Sequence, residues 1–321
     1  MSEFIHYKYK PRDLQFIDYN SNLKNYLYQF SKTQNIQNIV LYGPSGTGKK
    51  TFINCFLNQY FNNDNTIYTT NSFTYTLSNN YKMSYKSSMK HYQIKLLDNY
   101  KNNILIIHEL LDYLIQSKSI VNKYTIIILY NIERLEHNLN LLKIIMEKYY
   151  NVRFLCTSSR RFSELELAIQ LRVEKISEFH LLKICLNINK KEKLNLSHER
   201  IIELVKTSQN NINTLLNSLQ SIINNTEDNL TILNDLCTIL CKKNIRDYPV
   251  VKQLLNKIII FKSYNINAII DYIFYKLEYL IVDKHQFVSV VNNILSTRNT
   301  NIVNDIILLD TFIFYIYKIF K

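Results

Sequence analysis

The chain has 321 residues, with 39 Lys plus Arg against 26 Asp plus Glu and a formal net charge of +13. That length predicts two or three domains with a sizeable core, and 47% hydrophobic with 20% charged residues excludes a disordered or fibrous chain. The positive balance favours a polyanionic partner, although a Lys-rich coding bias contributes to it.

The first residues, Met1-Ser-Glu-Phe-Ile-His6, lack a basic segment followed by an apolar core, so no secretory leader is expected. No apolar run approaches the ~18 residues of a membrane span. The 5 cysteines (Cys55, Cys156, Cys185, Cys237, Cys241) form no Cys-x-x-Cys pair, and the Cys237/Cys241 spacing has no matching His pair. Buried thiols in a reducing compartment are expected, and no metal site.

Lys10-Pro11 favours an extended segment, and a helix is expected over residues 21–32. An apolar strand, Ile39-Val-Leu41, then runs into Tyr42-Gly43-Pro44-Ser45-Gly46-Thr47-Gly48-Lys49-Lys50-Thr51. The chain contains 3 glycines, Gly43, Gly46 and Gly48, and all lie in this loop. Glycine carries a backbone-entropy cost and is kept where φ > 0 or close backbone approach is required. The pattern Gly-x-x-x-x-Gly-Lys, between a strand and a helix over 51–60, is that of a phosphate-binding P-loop. Its N–H groups and the helix N-terminus form an anion site, and Lys49 reaches the terminal phosphates. The position whose hydroxyl should ligand Mg2+ is Lys50, with Thr51 one place late. Nucleotide binding is therefore expected over efficient hydrolysis.

Residues 66–70, 73–77 and 92–96 alternate apolar and polar side chains and read as strands with an intervening hairpin. A helix is expected over 102–117 and a fully buried strand over 124–129. A helix over 136–149, a strand over 152–157 and a short strand over 172–176 follow. Strands alternating with helices indicate a parallel sheet covered on both faces. After residue 178 the strand signals stop. Helices are expected over 181–188, 198–207 (with Ser197 as N-cap and Glu199 in the first turn) and 212–224. Residues 229–321 are helical in pattern, with Pro249 as the strong breaker. The aromatics Phe312, Phe314, Tyr315, Tyr317 and Phe320 read as core or subunit-interface packing.

Several motifs in order resemble those of replication factor C small subunits, clamp loaders of the AAA+ superfamily. Lys8-Tyr9-Lys10-Pro11 resembles the motif that opens those subunits and lies near the adenine. The P-loop Gly-Pro-Ser-Gly-Thr-Gly-Lys-Lys-Thr is similar to that of the small subunit whose own ATP site is degenerate. Met146-Glu147-Lys148-Tyr149 resembles the end of the helix after the second ATPase motif. Lys190-Lys191-Glu192-Lys193-Leu194-Asn195-Leu196 resembles a lid motif. The resemblance covers residues 1–225; beyond 230 only helical character and length match.

The resemblance implies an α/β P-loop AAA+ domain with a parallel sheet (residues 1–178), a three-helix lid (179–228) and an all-α C-terminal collar that oligomerises (229–321). It implies ATP or ADP held by Tyr9, Pro11 and residues Gly43, Pro44, Ser45, Gly46, Thr47, Gly48, Lys49, Lys50 and Thr51. It implies sibling subunits in a hetero-pentamer, a sliding clamp and primer–template DNA as partners, and an intracellular location at sites of replication. Phosphate contacts fall on Lys101 and His137, with Lys143 and Lys148 as further basic positions.

The family's metal-holding Asp and catalytic Glu are here Tyr130 and Asn131, with Glu133 two residues farther on. Hydrolysis needs both carboxylates. The sensor position falls at Ser158 or Ser159, and the lid sensor, an Arg in the family, at Ile212. These departures make Mg2+ doubtful and imply a chain that does not hydrolyse ATP alone. Arg172 takes the place of the finger supplied to a neighbouring subunit, although Leu171 and Val173 replace its Ser and Cys flanks. The competing expectations are a self-sufficient AAA+ ATPase of the initiator or helicase-loader type and an inactive nucleotide-binding adaptor.

Overall fold

The computed structural model describes residues 4–33, 35–62, 69–74, 82–96, 104–116, 123–224, 229–242 and 247–260, and beyond these 269–270, 272–273, 276, 313–314 and 316. The chain divides into two compact units, residues 10–177 and residues 1–9 with 178–321.

The first unit is built on seven strands: β1 (Asn38–Tyr42), β2 (Thr69–Thr74), β3 (Lys82–Ser87), β4 (His91–Lys95), β5 (Thr125–Tyr130), β6 (Val152–Ser158) and β7 (Ala168–Arg172). They form one sheet in the order β2-β3-β4-β5-β6-β1-β7. From β4 to β7 every pairing is parallel, while β2 and β3 extend the sheet by antiparallel pairing. The sheet is therefore mixed rather than wholly parallel. Where separate strands are expected at 66–70 and 73–77, one strand spans 69–74; residues 66–68 and 75–77 lie outside the described residues. β3 is the partner that the alternation did not mark. The last strand runs over 168–172, not 172–176, so Arg172 closes it instead of opening it.

Burial explains the sheet's place. All six residues of β5 are buried, as expected of a strand covered on both sides. Val40, Ile127, Leu129, Phe154 and Cys156 point to one face. There they pack with Ile107, Leu110, Leu111 and Leu114 of α4 (Ile104–Gln116) and Leu139, Leu142 and Ile145 of α5 (Leu139–Lys148). The alternate residues Ile39, Leu41, Ile126, Ile128 and Leu155 are equally buried. On that side lie α2 (Ser21–Ser31) and α3 (Lys49–Tyr60), which buries Phe52, Ile53, Cys55, Phe56 and Leu57. The expected helix start at 136 is a 3-10 turn, Ile132–Asn138, that leads into α5.

In the second unit, α1 (Ile5–Lys8) is held to α8 (Ile212–Ile223) by the Ile5 N–H, which donates to Gln220 Oε1 at 2.7 Å. α6 (Glu178–Glu192), α7 (His198–Thr207) and α8 pack together. Ser197 caps α7 as expected, accepting from the Arg200 N–H at 3.3 Å. α9 (Asn229–Cys241) and α10 (Tyr248–Ile260) pack as a pair. Pro249 sits in the first turn of α10, where a missing N–H costs least, so it starts a helix rather than breaking one. Of the C-terminal aromatics only Phe314 is among the described residues, and it is exposed. No described helix is long and apolar enough to cross a membrane. Cys55, Cys156, Cys185 and Cys237 are buried and form no disulfide among the described residues.

Candidate nucleotide-binding site

The parallel strands end along one edge of the sheet. Tyr42, Lys95, Tyr130, Ser158 and Arg172 are the last residues of β1, β4, β5, β6 and β7. Register ties them together: Tyr42 pairs with Ser158 and Arg172, and Lys95 pairs with Tyr130. The carboxyl ends of parallel strands are where open α/β sheets bind ligands, and here the glycine loop leaves β1 for α3.

The loop's glycines are required by space and by φ. At Gly43 (φ +152°) a Cβ would stand 2.2 Å from the carbonyl oxygen of Val173. That approach is fixed by hydrogen bonds on both sides: Gly43 N–H donates to Ser158 O at 3.2 Å, and Val173 N–H to Tyr42 O at 2.7 Å. Gly46 has φ +73°. Gly48 has φ +83°, and its Cβ would meet the Tyr19 hydroxyl at 2.3 Å. Tyr19 is buried edge-on against Phe52, with ring centroids 5.6 Å apart. Thr47 is buried and donates to the Pro44 carbonyl at 3.0 Å.

Gly48 is the N-cap of α3 and supplies no side-chain acceptor. The first-turn N–H groups of α3 are thus left to an anion. Lys49 donates to the carbonyls of Gly43 at 2.5 Å and Pro44 at 2.6 Å, which folds its ammonium over the loop. Burial lowers its pKa; the Glu133 carboxylate opposes that shift and the Lys50 ammonium adds to it. These residues fit a nucleotide phosphate.

They do not fit Mg2+. Mg2+ is ordinarily held by one or two carboxylates together with substrate phosphates. The end of β5 offers the Tyr130 phenol and the Asn131 amide. Asn131 has φ +64°, and its N–H donates to Thr157 Oγ1 at 3.1 Å, so the chain turns there without a carboxylate. Lys50 Nζ lies 4.9 Å from the centre of the Tyr130 ring. Partial burial first, then the like charges of Lys95 and Lys10, lower the Lys50 pKa. Lys10 is lowered mainly by burial, with Lys86 adding to the effect. Among the described residues no group of three His, Cys, Asp or Glu could hold a metal ion.

Glu133 is the first acidic residue after β5. Its Oε2 is buried without a hydrogen-bond partner among the described residues. With Asn140, Ser159, Arg160 and Glu164 it lines a cavity of about 550 Å³. Ser158 is buried, and its hydroxyl accepts from the Arg160 N–H at 3.1 Å.

The structure thus brings Pro11 and residues 43–51 into one unit. Pro11 is tied to α3 by its carbonyl, which accepts from the Cys55 thiol at 3.2 Å. Burial pushes that thiol up to about 12, so it is an inert structural group. Tyr9 belongs to the other unit. Its hydroxyl donates to Glu192 Oε1 at 2.5 Å, and Lys8 pairs with the same carboxylate at 2.7 Å. Those two bonds hold Glu192 below the usual carboxylate range. Ile212 opens α8 in that unit, behind the cap Asn211, which accepts from the Asn213 and Thr214 N–H groups. Arg172 is exposed beside Tyr42, on the P-loop edge of the sheet. Lys101 and the side chain of His137 lie outside the described residues. Sequence reasoning missed Tyr19 and Lys95 as site neighbours, and it carried Lys10 only within the motif that the resemblance puts near the adenine. Lys95 could have been found only from the sheet order, which sets it beside Tyr130.

The chain is 25% identical over 227 residues to a Dictyostelium discoideum protein described as "Probable replication factor C subunit 3", covering 67% of this chain and 65% of that protein. It is 29% identical over 118 residues to replication factor C subunit 5 of Saccharomyces cerevisiae, covering 35% and 33%. The first of these matches spans 65% of the relative's length. A solved structure titled "DNA replication initiation factor" superposes with a TM-score of 0.52 at 13% identity, covering 96% of this chain and 98% of that one. No family model matches the chain. The similarity to replication factor C subunits is modest in identity, and the fold is an α/β P-loop fold with a mostly parallel sheet.

Proposed function

We propose that this chain is a nucleotide-holding, non-hydrolysing subunit of a replication factor C-like clamp loader. The observation that carries the reading is the P-loop edge itself. Lys49 and the α3 N-terminus form a phosphate cradle, while an ammonium over a phenol ring stands where hydrolysis needs a metal and its carboxylates. Held nucleotide then serves as structure, fixing the P-loop unit for assembly, and the chemistry belongs to sibling subunits. The similarity to replication factor C subunits 3 and 5 supports sibling subunits as partners, and by extension a sliding clamp and primer–template DNA at sites of replication. In this reading residues 179–228 act as the lid and 229–321 as the collar.

Arg172 is the candidate for a finger supplied in trans. Its place at the P-loop edge makes this chain's own phosphates the competing target, and Arg172→Ala in an assembled complex separates the two. Lost turnover with unchanged nucleotide binding to this chain supports the trans role.

The test of the whole reading is a native pulldown with mass spectrometry, paired with steady-state ATPase of the purified chain. Sibling subunits and a clamp should co-purify, and the chain alone should show only background turnover. Turnover that disappears in Lys49→Ala would overturn the non-hydrolysing assignment. A pulldown without siblings or clamp would favour an adaptor outside replication.

A further inference from the structure

The charge balance around the P-loop is weighted toward lysine. Lys49 and Lys50 stand at the start of α3, and the Lys50 ammonium is set against the Tyr130 ring at 4.9 Å. Lys95 is the register partner of Tyr130 across β4 and β5. Lys10 precedes Pro11, which is bonded to α3 through Cys55. These lysines sense one another electrostatically. Glu133 is the acidic group that acts on Lys49. A metal-assisted site has the opposite balance, with one invariant lysine, a hydroxyl and acidic residues that hold the cation against the phosphates.

Resting on the nucleotide-holding reading above, we propose that Lys50 replaces the metal ion, so that the site binds a nucleoside di- or triphosphate as the metal-free polyanion. An ammonium is a compact point charge on a flexible stem. The aromatic face of Tyr130 positions that charge at the loop without neutralising it. A divalent cation brought in with the nucleotide meets the Lys50 and Lys95 ammonium groups where a metal-assisted site holds carboxylates, and Glu133 is already set against Lys49. The magnesium complex therefore loses charge complementarity, whereas the free anion gains it. Partial burial and mutual repulsion disfavour the charged lysines until an anion arrives, so ligand binding relieves that repulsion.

The experiment is calorimetric titration of the full chain with ADP, once in excess EDTA and once in excess magnesium chloride. Metal-free affinity should equal or exceed the affinity with magnesium, to within about threefold. Lys50→Met keeps the stem and removes the charge; it should weaken metal-free binding about tenfold or more, and Lys50→Arg should restore most of the loss. Thermal melts of each variant, followed by circular dichroism, separate lost binding from lost folding. Binding that appears only with magnesium would overturn this inference and leave the nucleotide-holding reading intact. Metal-free binding unchanged in Lys50→Met would overturn the role of Lys50. No binding under either condition would overturn the nucleotide-holding reading, and this inference with it.

Discussion

At the scale of single residues, the loop glycines and one buried histidine carry consequences that can be measured. Gly48 stands at φ +83° with the Tyr19 hydroxyl where a Cβ would go. Gly48→Ala should destabilise the chain by more than the ~1–2 kcal/mol of a left-handed L residue, because the contact adds to the backbone term. In a Tyr19→Phe background the hydroxyl is gone, so the same substitution should cost less, with a coupling of about 0.5–3 kcal/mol in urea denaturation. His91 is buried against Phe61, with ring centroids 6.4 Å apart. Its Nδ1 lies 2.9 Å from the Ser88 hydroxyl and its Nε2 3.1 Å from Gln93 Nε2, a pairing that a neutral ring satisfies. Burial lowers its pKa from 6.5 to about 4. The folded value is depressed, so the unfolded chain takes up the proton first. The stabilisation is complete above pH 6.5 and is lost as pH falls toward 4. The loss is up to about 3 kcal/mol. Urea midpoints at neutral pH and at acid pH should show this slope, and His91→Gln should flatten it.

At the scale of elements, magnitudes separate what packing decides from what caps decide. Phe154 is fully buried in β6, between β5 and β1. Phe154→Ala should cost about 3–5 kcal/mol, the range for a large aromatic lost from a core. The Ser197 cap of α7 bonds a single exposed N–H, so Ser197→Ala should cost about 1 kcal/mol. Equilibrium unfolding of the two variants tests the ordering. α7 and the strands β1 and β5 were legible because each carries its own signal: a capped amphipathic period in the helix and an unbroken apolar run in the strands. β3 and the true position of β7 were not. Lys82-Met-Ser-Tyr-Lys-Ser87 has few apolar residues and becomes a strand by pairing with β2 and β4. β7 is fixed by its parallel register with β1, which runs from Asn38 opposite Ala168 to Tyr42 opposite Arg172.

At the scale of the whole molecule, a net charge of +13 and a lysine-rich nucleotide edge point to polyanions. Under the proposed function, an assembled complex that holds primer–template DNA should release it as salt rises. The log–log slope should fall by about 0.9 for each phosphate contact removed, and Lys101→Ala is the variant to measure. A complex bound to DNA with no salt dependence would contradict that role. A P-loop unit that retains nucleotide without turning it over has a stable geometry to offer its neighbours. A hydrolysing site must instead pass through different states.

The sequence by itself determined the glycine loop, the strand before it, the helix after it and the identities at Lys50, Tyr130 and Asn131. These are local properties: backbone permissiveness, apolar periodicity and the chemical type of one side chain. Only the tertiary structure decided what those identities do together. The order of the parallel strands puts Lys95 beside Tyr130, the cap of α3 puts Lys50 over the same ring, and the thiol of Cys55 ties the segment of Lys10 to that helix. The 34 residues between Lys95 and Tyr130 do not encode that proximity; hydrogen-bond register across a sheet does, and register is set by the burial of both faces.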